Sequence, residues 1–330
     1  MKKLFILSLI TVIVFTISCE SKKARTALLP SVSGKAGEVV LVMKEKYKGS
    51  EIGKDFKKLF SQEVYGLPQS EPMFNLFFFR HDAFTNILKL HRNIIFTQIS
   101  PSIKKAKISF RKNVWARPQL FISIVAPNEK EFKKLFNENK DKLLRSVELA
   151  ERQRIINNYK KYEEKSLCKL IRDKQHISIS VPKGYALRID TSNFMWVSHE
   201  TPQISQGILI YSYNINDSIA LNEKLLIHIR DSVLKKNVPG PLPNTYMITE
   251  HALPVEFKEF YLNRKYTAQL RGLWKVQNDY MGGPFISFSR FDMKRNRIVT
   301  VDAYVYAPKF DKRNYLRQVE GILYTMDIVK

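Results

Sequence analysis

The sequence is short of cysteine, of acidic residues and of long apolar runs, and each shortage excludes something. Only two cysteines occur in 330 residues, Cys19 and Cys168, so no disulfide framework and no paired-Cys zinc site can be built. The six histidines have no metal spacing either: His81 and His91 lie ten apart, and His176, His199, His228 and His251 are scattered. A metal held by a local motif is therefore not expected. Gly-x-Ser-x-Gly is absent, which removes the nucleophile elbow of an α/β-hydrolase. Ser31-Val32-Ser33-Gly34-Lys35-Ala36-Gly37 has the composition of a phosphate loop, but it precedes the strand it would have to follow. It reads as flexible tether, and no cofactor is expected. Acids number 31 against 55 Lys and Arg, a net charge of +24, so the chain is drawn to polyanions. Beyond the N-terminus, nothing approaches the roughly 20 apolar residues that cross a bilayer.

The N-terminus itself is distinctive. Met1-Lys2-Lys3 precedes an uncharged apolar run from Leu4 to Ile17, closed by Ser18-Cys19, the pattern of a secretory signal peptide over residues 1–18. Thr16-Ile17-Ser18-Cys19 resembles the lipobox of bacterial lipoproteins, in which the cysteine is acylated and becomes the mature N-terminus. That resemblance implies lipid attachment at Cys19, a lipidated tether over 19–37 and a membrane contact through the lipid. Glu20-Ser21-Lys22-Lys23-Ala24-Arg25 lacks the acidic cluster that marks surface export in Bacteroidota lipoproteins, so the expected address is the periplasmic face of the outer membrane. With Cys19 acylated, Cys168 has no disulfide partner and reads as a small buried hydrophobe among apolar neighbours.

The address decides what the charge is for. A cytoplasmic chain this basic, with 12% aromatics, would point to nucleic acid. In the envelope the available anions are lipid headgroups, lipopolysaccharide phosphates and peptidoglycan carboxylates. The expected partner is thus an anionic envelope component or an envelope protein, and not nucleic acid.

A composition of 44% hydrophobic and 26% charged residues is ordinary for a globular chain, and the length suits two domains. Glu38 to Met43 reads as a buried strand, and Ile52, Phe56, Leu59, Phe60 and Val64 follow at helical spacing. Strands are expected over 74–79, 93–99, 106–114 and 120–125. Asn128 then caps a helix of about 35 residues, with Glu131 placed to close a capping box. This gives an N-terminal domain over 38–164. The C-terminal domain, 165–330, opens on a strand from His176 to Val181. It continues through several strands and a helix over 218–234, and ends on a helix capped by Asp311. The expected fold class is α+β: two α/β sandwich domains, each a mainly antiparallel sheet packed by helices. Phe121 to Pro127 and Ala303 to Pro308 both run strand, Ala-Pro, helix, either as a tandem repeat or through independent use of proline before a helix.

Two regions read as candidate binding surfaces. The stretch from Lys104 to Pro118 carries six basic residues and no acid. Lys104, Lys105, Lys107, Arg111, Lys112, Trp115 and Arg117 would form a cationic hairpin face for an anionic ligand, or else an edge strand that lysines guard against aggregation. Asp279-Tyr280-Met281-Gly282-Gly283-Pro284-Phe285 reads as a turn with aromatic neighbours, placed to contact a ligand if one is bound there. Glu250, Glu256 and Glu259 cluster in sequence, but glycoside cleavage needs two carboxyls held across one bond, and Pro254 interrupts the strand that would align them.

With Pro30 to Val39, Gly66-Leu67-Pro68-Gln69-Ser70-Glu71-Pro72, Arg92-Asn93-Ile94, Val181-Pro182-Lys183-Gly184-Tyr185, Trp196-Val197 and Ala307-Pro308-Lys309, the chain resembles a Bacteroidota lipoprotein family known as domain-of-unknown-function family 4837. The resemblance implies lineage and location and brings no catalytic residues. The layout of the second half is similar in outline to the PsbP-like α/β sandwich. The function expected is that of a lipid-anchored, non-catalytic binding or assembly module; the alternative is a hydrolase acting on peptidoglycan or another envelope polymer.

Overall fold

A computed structural model describes residues 28–215 and 221–329. The expected signal peptide, Cys19 and the start of the tether lie outside the described residues; the flexible tether expected over 31–37 is corrected, since Val32 donates to the Arg117 carbonyl at 3.3 Å and Ser33 to the Leu90 carbonyl at 2.9 Å, which bonds this stretch to the first unit. The chain is α+β and divides into two compact units, one formed by residues up to 62 with 74–150, the other by 63–73 with 151 onward.

In the first unit, β1 (Glu38–Val42) is buried at every residue after Glu38, as its unbroken apolar run requires. The chain then turns through α1 (Glu45–Lys48) into α2 (Glu51–Phe60), where the Ser50 hydroxyl accepts from the Ile52 amide at 3.2 Å and aims Ile52, Phe56 and Phe60 inward. There follow β2 (Asn75–Phe79), α3 (Asn86–Lys89), β3 (Asn93–Ile99), β4 (Lys107–Lys112), β5 (Leu120–Ala126) and the 33-residue α4 (Glu129–Lys161). The Asn128 side chain accepts from the Glu131 amide at 2.9 Å, so the expected cap forms.

The five strands lie in the order β2-β1-β3-β5-β4. β1 pairs with β2 and β3 in parallel, β3 with β5 in parallel, and only β4 runs antiparallel. The antiparallel layout expected of this domain is therefore corrected. A strand followed by a helix returns its next strand in the same direction, and the unbroken apolar run of β1 is what parallel strands buried on both faces require. One sheet face is closed by rings of α2 and α4, with Phe56 and Phe136 centroids 4.7 Å apart. The other carries Val40, Val42, Ile94 and Phe121, overlaid by Phe84 and Trp115.

The second unit holds α5 (Lys165–Gln175), β6 (Ile177–Ser178), β7 (Ala186–Asp190), β8 (Phe194–Glu200), β9 (Ser205–Asn214) and α6 (Glu223–Asn237). It continues through β10 (Met247–Glu250), β11 (Glu256–Leu262), β12 (Lys265–Val276), β13 (Gly282–Asp292), β14 (Arg297–Tyr306), α7 (Arg313–Leu323) and β15 (Asp327–Ile328). Here the sheet is antiparallel as expected, eight strands in the order β10-β12-β13-β14-β9-β8-β7, with β11 also pairing β12. α5 and α7 close one face, where Leu167, Ile171, Leu316 and Ile322 meet Ile208, Phe288 and Val301. α6 closes the other, where Leu226 and Leu234 meet Leu209, Leu270 and Phe285.

Several sequence expectations are corrected in this unit. As a compact unit it also includes the end of α4 from Glu151, whose last turns lie on α7: a Cβ built on Gly321 would stand 2.5 Å from Ile155. α5 was not anticipated, and the strand expected from His176 to Val181 shrinks to Ile177–Ser178 because His176 ends α5 in the left-handed region, φ 55°. The α6 helix begins at Glu223 under an Asn222 cap. Asp311 does not cap α7; the carboxylate of Glu71 does, accepting from the Lys312 and Arg313 amides at 2.6 and 2.9 Å. Cys168 is buried, its thiol pushed up by burial, as a structural cysteine requires. The two strand-Ala-Pro-helix passages end a parallel and an antiparallel strand in differently ordered sheets, so the tandem-repeat reading fails.

Candidate functional site

A parallel sheet sends all the loops that follow its parallel strands to one edge, and in the first unit that edge has a gap. From β1 the chain crosses to β2 on one side, while β3 and β5 lie on the other. The loops after β1 and β3 therefore diverge, and a crevice opens at the carboxyl ends of the strands, the place where open α/β sheets take their ligands. A cleft of about 580 Å³ occupies this position. Lys44, Lys46 and Tyr47 line it from the β1 loop, Ile99 and Pro101 from the end of β3, and Pro127 to Lys130 from the start of α4.

The lining is cationic. Lys46 Nζ stands 3.4 Å from Glu129 Oε1 and 4.6 Å above the Tyr47 ring, and contacts with Tyr47, then Glu129, hold its ammonium above the ordinary lysine value. Glu129, the one carboxylate in the lining, is thus neutralised, while Lys44 and Lys130 have no ion-pair partner among the described residues. Tyr47 is buried and fixes the loop that carries the two lysines. No histidine, cysteine or second carboxylate lines the cleft. Such a lining can hold an anion by charge and hydrogen bonding.

Of the seven residues proposed as a cationic hairpin face, five fall on the β4–β5 hairpin, while Lys104 and Lys105 fall on the connection that precedes β4, and the seven do not share one surface. Register places Lys107 and Arg111 on one face of β4 and Lys112 on the other. Lys104, Lys105 and Lys107 stand at the carboxyl edge of the parallel strands, whereas Lys112, Trp115 and Arg117 stand at the amino edge, where β5 begins. Trp115 packs edge-on to Phe121 at 5.0 Å and to Phe84 at 5.7 Å, so it belongs to the aromatic core. Arg111 stacks on Phe121 at 4.8 Å. β4 is the sheet edge, and its exposed lysines fit the guarding role as well.

The remaining candidates dissolve into structure. Glu250 pairs with Lys275 at 3.1 Å, its carboxyl held low first by the Ala252 amide; Glu256 pairs with Lys258, and Glu259 accepts from the Tyr266 hydroxyl. In the 279–285 turn, a Cβ on Gly283 would stand 2.1 Å from the Val305 carbonyl oxygen, so that glycine serves strand approach. Among the described residues no cluster of three His, Cys, Asp or Glu could hold a metal, and no helix is long and apolar enough to cross a membrane. Sequence reading missed Lys44, Lys46 and Lys130. The signal that could have found them was the strand-to-helix passage at β1, which marks the start of a parallel crossover and hence which loops share an edge.

Family models described as Domain of unknown function match both halves, DUF4837 over residues 164–325 and DUF8532 over 32–160. No curated protein matches the chain. Among solved structures, the Ran-binding protein Mog1p of Saccharomyces cerevisiae is similar at 11% identity, over 47% of this chain and 91% of its own, with a TM-score of 0.32. The human StarD13 lipid transfer and protein localization domain is similar at 14% identity, over 49% of this chain and 92% of its own, with a TM-score of 0.23.

Proposed function

Through residues 164–325 the chain belongs to the DUF4837 family, and for this member we propose a lipid-anchored protein of the cell envelope, on the periplasmic face of the outer membrane, that binds an anionic envelope component without turning it over. The observation that carries the binding half is the cleft at the carboxyl edge of the parallel sheet, with Lys44, Lys46 and Lys130 around a single neutralised carboxylate. The depression is open to solvent, so an anion would reach its lysines directly. The anchoring half is supported by the signal pattern and by Cys19 at its end.

Anchoring is tested by fractionating the native host. Wild type is expected in the outer-membrane fraction, and Cys19→Ala in the soluble periplasm or held as unprocessed precursor. Identical processing and fractionation of the two chains would sink the lipoprotein reading.

A further inference from the structure

We infer that the amino edge of the first unit, opposite the cleft, docks onto the headgroups of an anionic phospholipid bilayer. The inference rests on the anchoring reading above for its biological setting, and on the fold for its geometry.

The geometry starts from where the tether enters. Arg117 donates its amide to the Pro30 carbonyl at 2.8 Å, Val32 donates to the Arg117 carbonyl, and Ser33 donates to the Leu90 carbonyl at 2.9 Å. The first described residues are thus laid along the amino edge of the sheet, beside the end of α3 and the β4–β5 connection. Gln119, itself buried, ties these segments together. Its side-chain amide donates to the carbonyls of Lys89 and His91 at 2.7 and 2.8 Å, and its oxygen accepts from the Trp115 amide. The edge so assembled presents Lys112 and Arg117, both exposed, with Lys89 close by. Two exposed aliphatic side chains accompany them, Leu28 at 85% and Ile87 at 77% exposure.

Charge and chain length then select the occupant. Between Asp82 and Glu129 the sequence contains no acidic residue; a carboxylate at this edge is that of Glu38, which opens β1, accepts from the Lys35 amide at 2.7 Å and lies 3.5 Å from His91 Nε2. Cys19 precedes Leu28 by nine residues, and a chain of that length spans at most about 30 Å. An acyl group on Cys19 therefore keeps this edge near the lipid surface. Basic side chains gain there from the anionic headgroups, and exposed aliphatics can enter the interface. β3, seven residues long, separates the two edges by about 20 Å, so docking at the amino edge leaves the cleft open on the side away from the bilayer.

The test uses the whole mature chain, beginning at residue 19 and carrying Cys19→Ala so that no acyl group contributes, floated with vesicles of phosphatidylethanolamine containing about one third phosphatidylglycerol. The double variant Lys112→Gln, Arg117→Gln is expected to bind about 25-fold more weakly, roughly fivefold per charge. The charge-keeping pair Lys112→Arg, Arg117→Lys should bind like the parent, as should Lys104→Gln with Lys105→Gln at the opposite edge. Equal losses from the two edges, or no loss from Lys112→Gln with Arg117→Gln, would overturn the inference. Because the probe chain is unacylated, this outcome is independent of the Cys19→Ala fractionation, and the two failures can be told apart.

Discussion

Arg230→Met is expected to destabilise the second unit by about 3–5 kcal/mol at neutral pH, because it strands a buried carboxylate. Arg230 and Asp302 are both fully buried, with Nε donating to Asp302 Oδ2 at 2.7 Å. Nη1 donates to the Thr249 hydroxyl at 2.8 Å, and the guanidinium lies 3.6 Å over the Phe285 ring. Nη2 and Asp302 Oδ1 have no hydrogen-bond partner, so the network is only partly satisfied; Nη1 also lies 3.9 Å from the Asp231 carboxylate, which accepts from Thr249. Burial pushes the Asp302 carboxyl above its ordinary value of 3.8, and Arg230 opposes that rise. The sign follows. With a folded pKa above the unfolded one, the folded state binds the proton more tightly, so stability falls as pH rises through the window between them. Removing Arg230 lifts the folded pKa further, so the variant should regain stability on acidification from about pH 7 to about pH 5 while the parent changes less. Asp302→Asn in the same background should restore most of the loss at neutral pH. Urea titrations at both pH values check this; a loss that ignores both pH and Asp302→Asn would show that packing of Met, and not the stranded charge, sets the cost.

Glu71→Ala is expected to cost about 3 kcal/mol and Glu71→Gln about 2 kcal/mol, as the loss of a buried charge-assisted cap. Glu71 is 4% exposed, and its two oxygens take the first amides of α7, whose own N-cap residue, Lys312, offers no side-chain acceptor. A carboxylate there also meets the positive end of the helix dipole. The segment 63–73 is held by further bonds: Lys312 Nζ to Gln69 Oε1 at 2.9 Å, Arg313 Nη1 to the Pro72 carbonyl at 2.6 Å, and Arg317 Nη2 to the Met73 carbonyl at 2.6 Å. Losing the cap should loosen this segment first. Limited proteolysis is therefore expected to cut the Glu71 variants within 63–73 faster than the parent, alongside a lower midpoint in urea. Unchanged cleavage and midpoint would mean that α7 is held by its apolar face alone, through Leu316, Val319 and Ile322.

The same contact shows where sequence reading reached and where it stopped. Asn128 was legible as a cap because its partner, Glu131, is three residues away, and the apolar run of β1 was legible because burial on both faces leaves no alternation. The same local logic points to Asp311 for α7, but the acceptor that caps it comes from 241 residues away, which no local pattern encodes. Strand direction in the first unit was likewise set by crossovers rather than by composition. The basic stretch from Lys104 to Arg117 was visible as charge, yet its division between two edges depends on the register of β4 against β5. Lys44, Lys46 and Lys130 are unremarkable in a chain with 55 basic residues; only the gap between the loops after β1 and β3 makes them a set.

The most direct measurement is in-cell photo-crosslinking from the cleft, with a photoreactive residue in place of Lys44 and, as the control, in place of Lys258 on the exposed face of β11. Position 44 should capture a defined anionic envelope component, identified by mass, position 258 should not, and Lys46→Glu with Lys130→Glu should abolish the capture. Equal capture from both positions, or capture at 44 that survives the charge reversals, would contradict the cleft as the binding site.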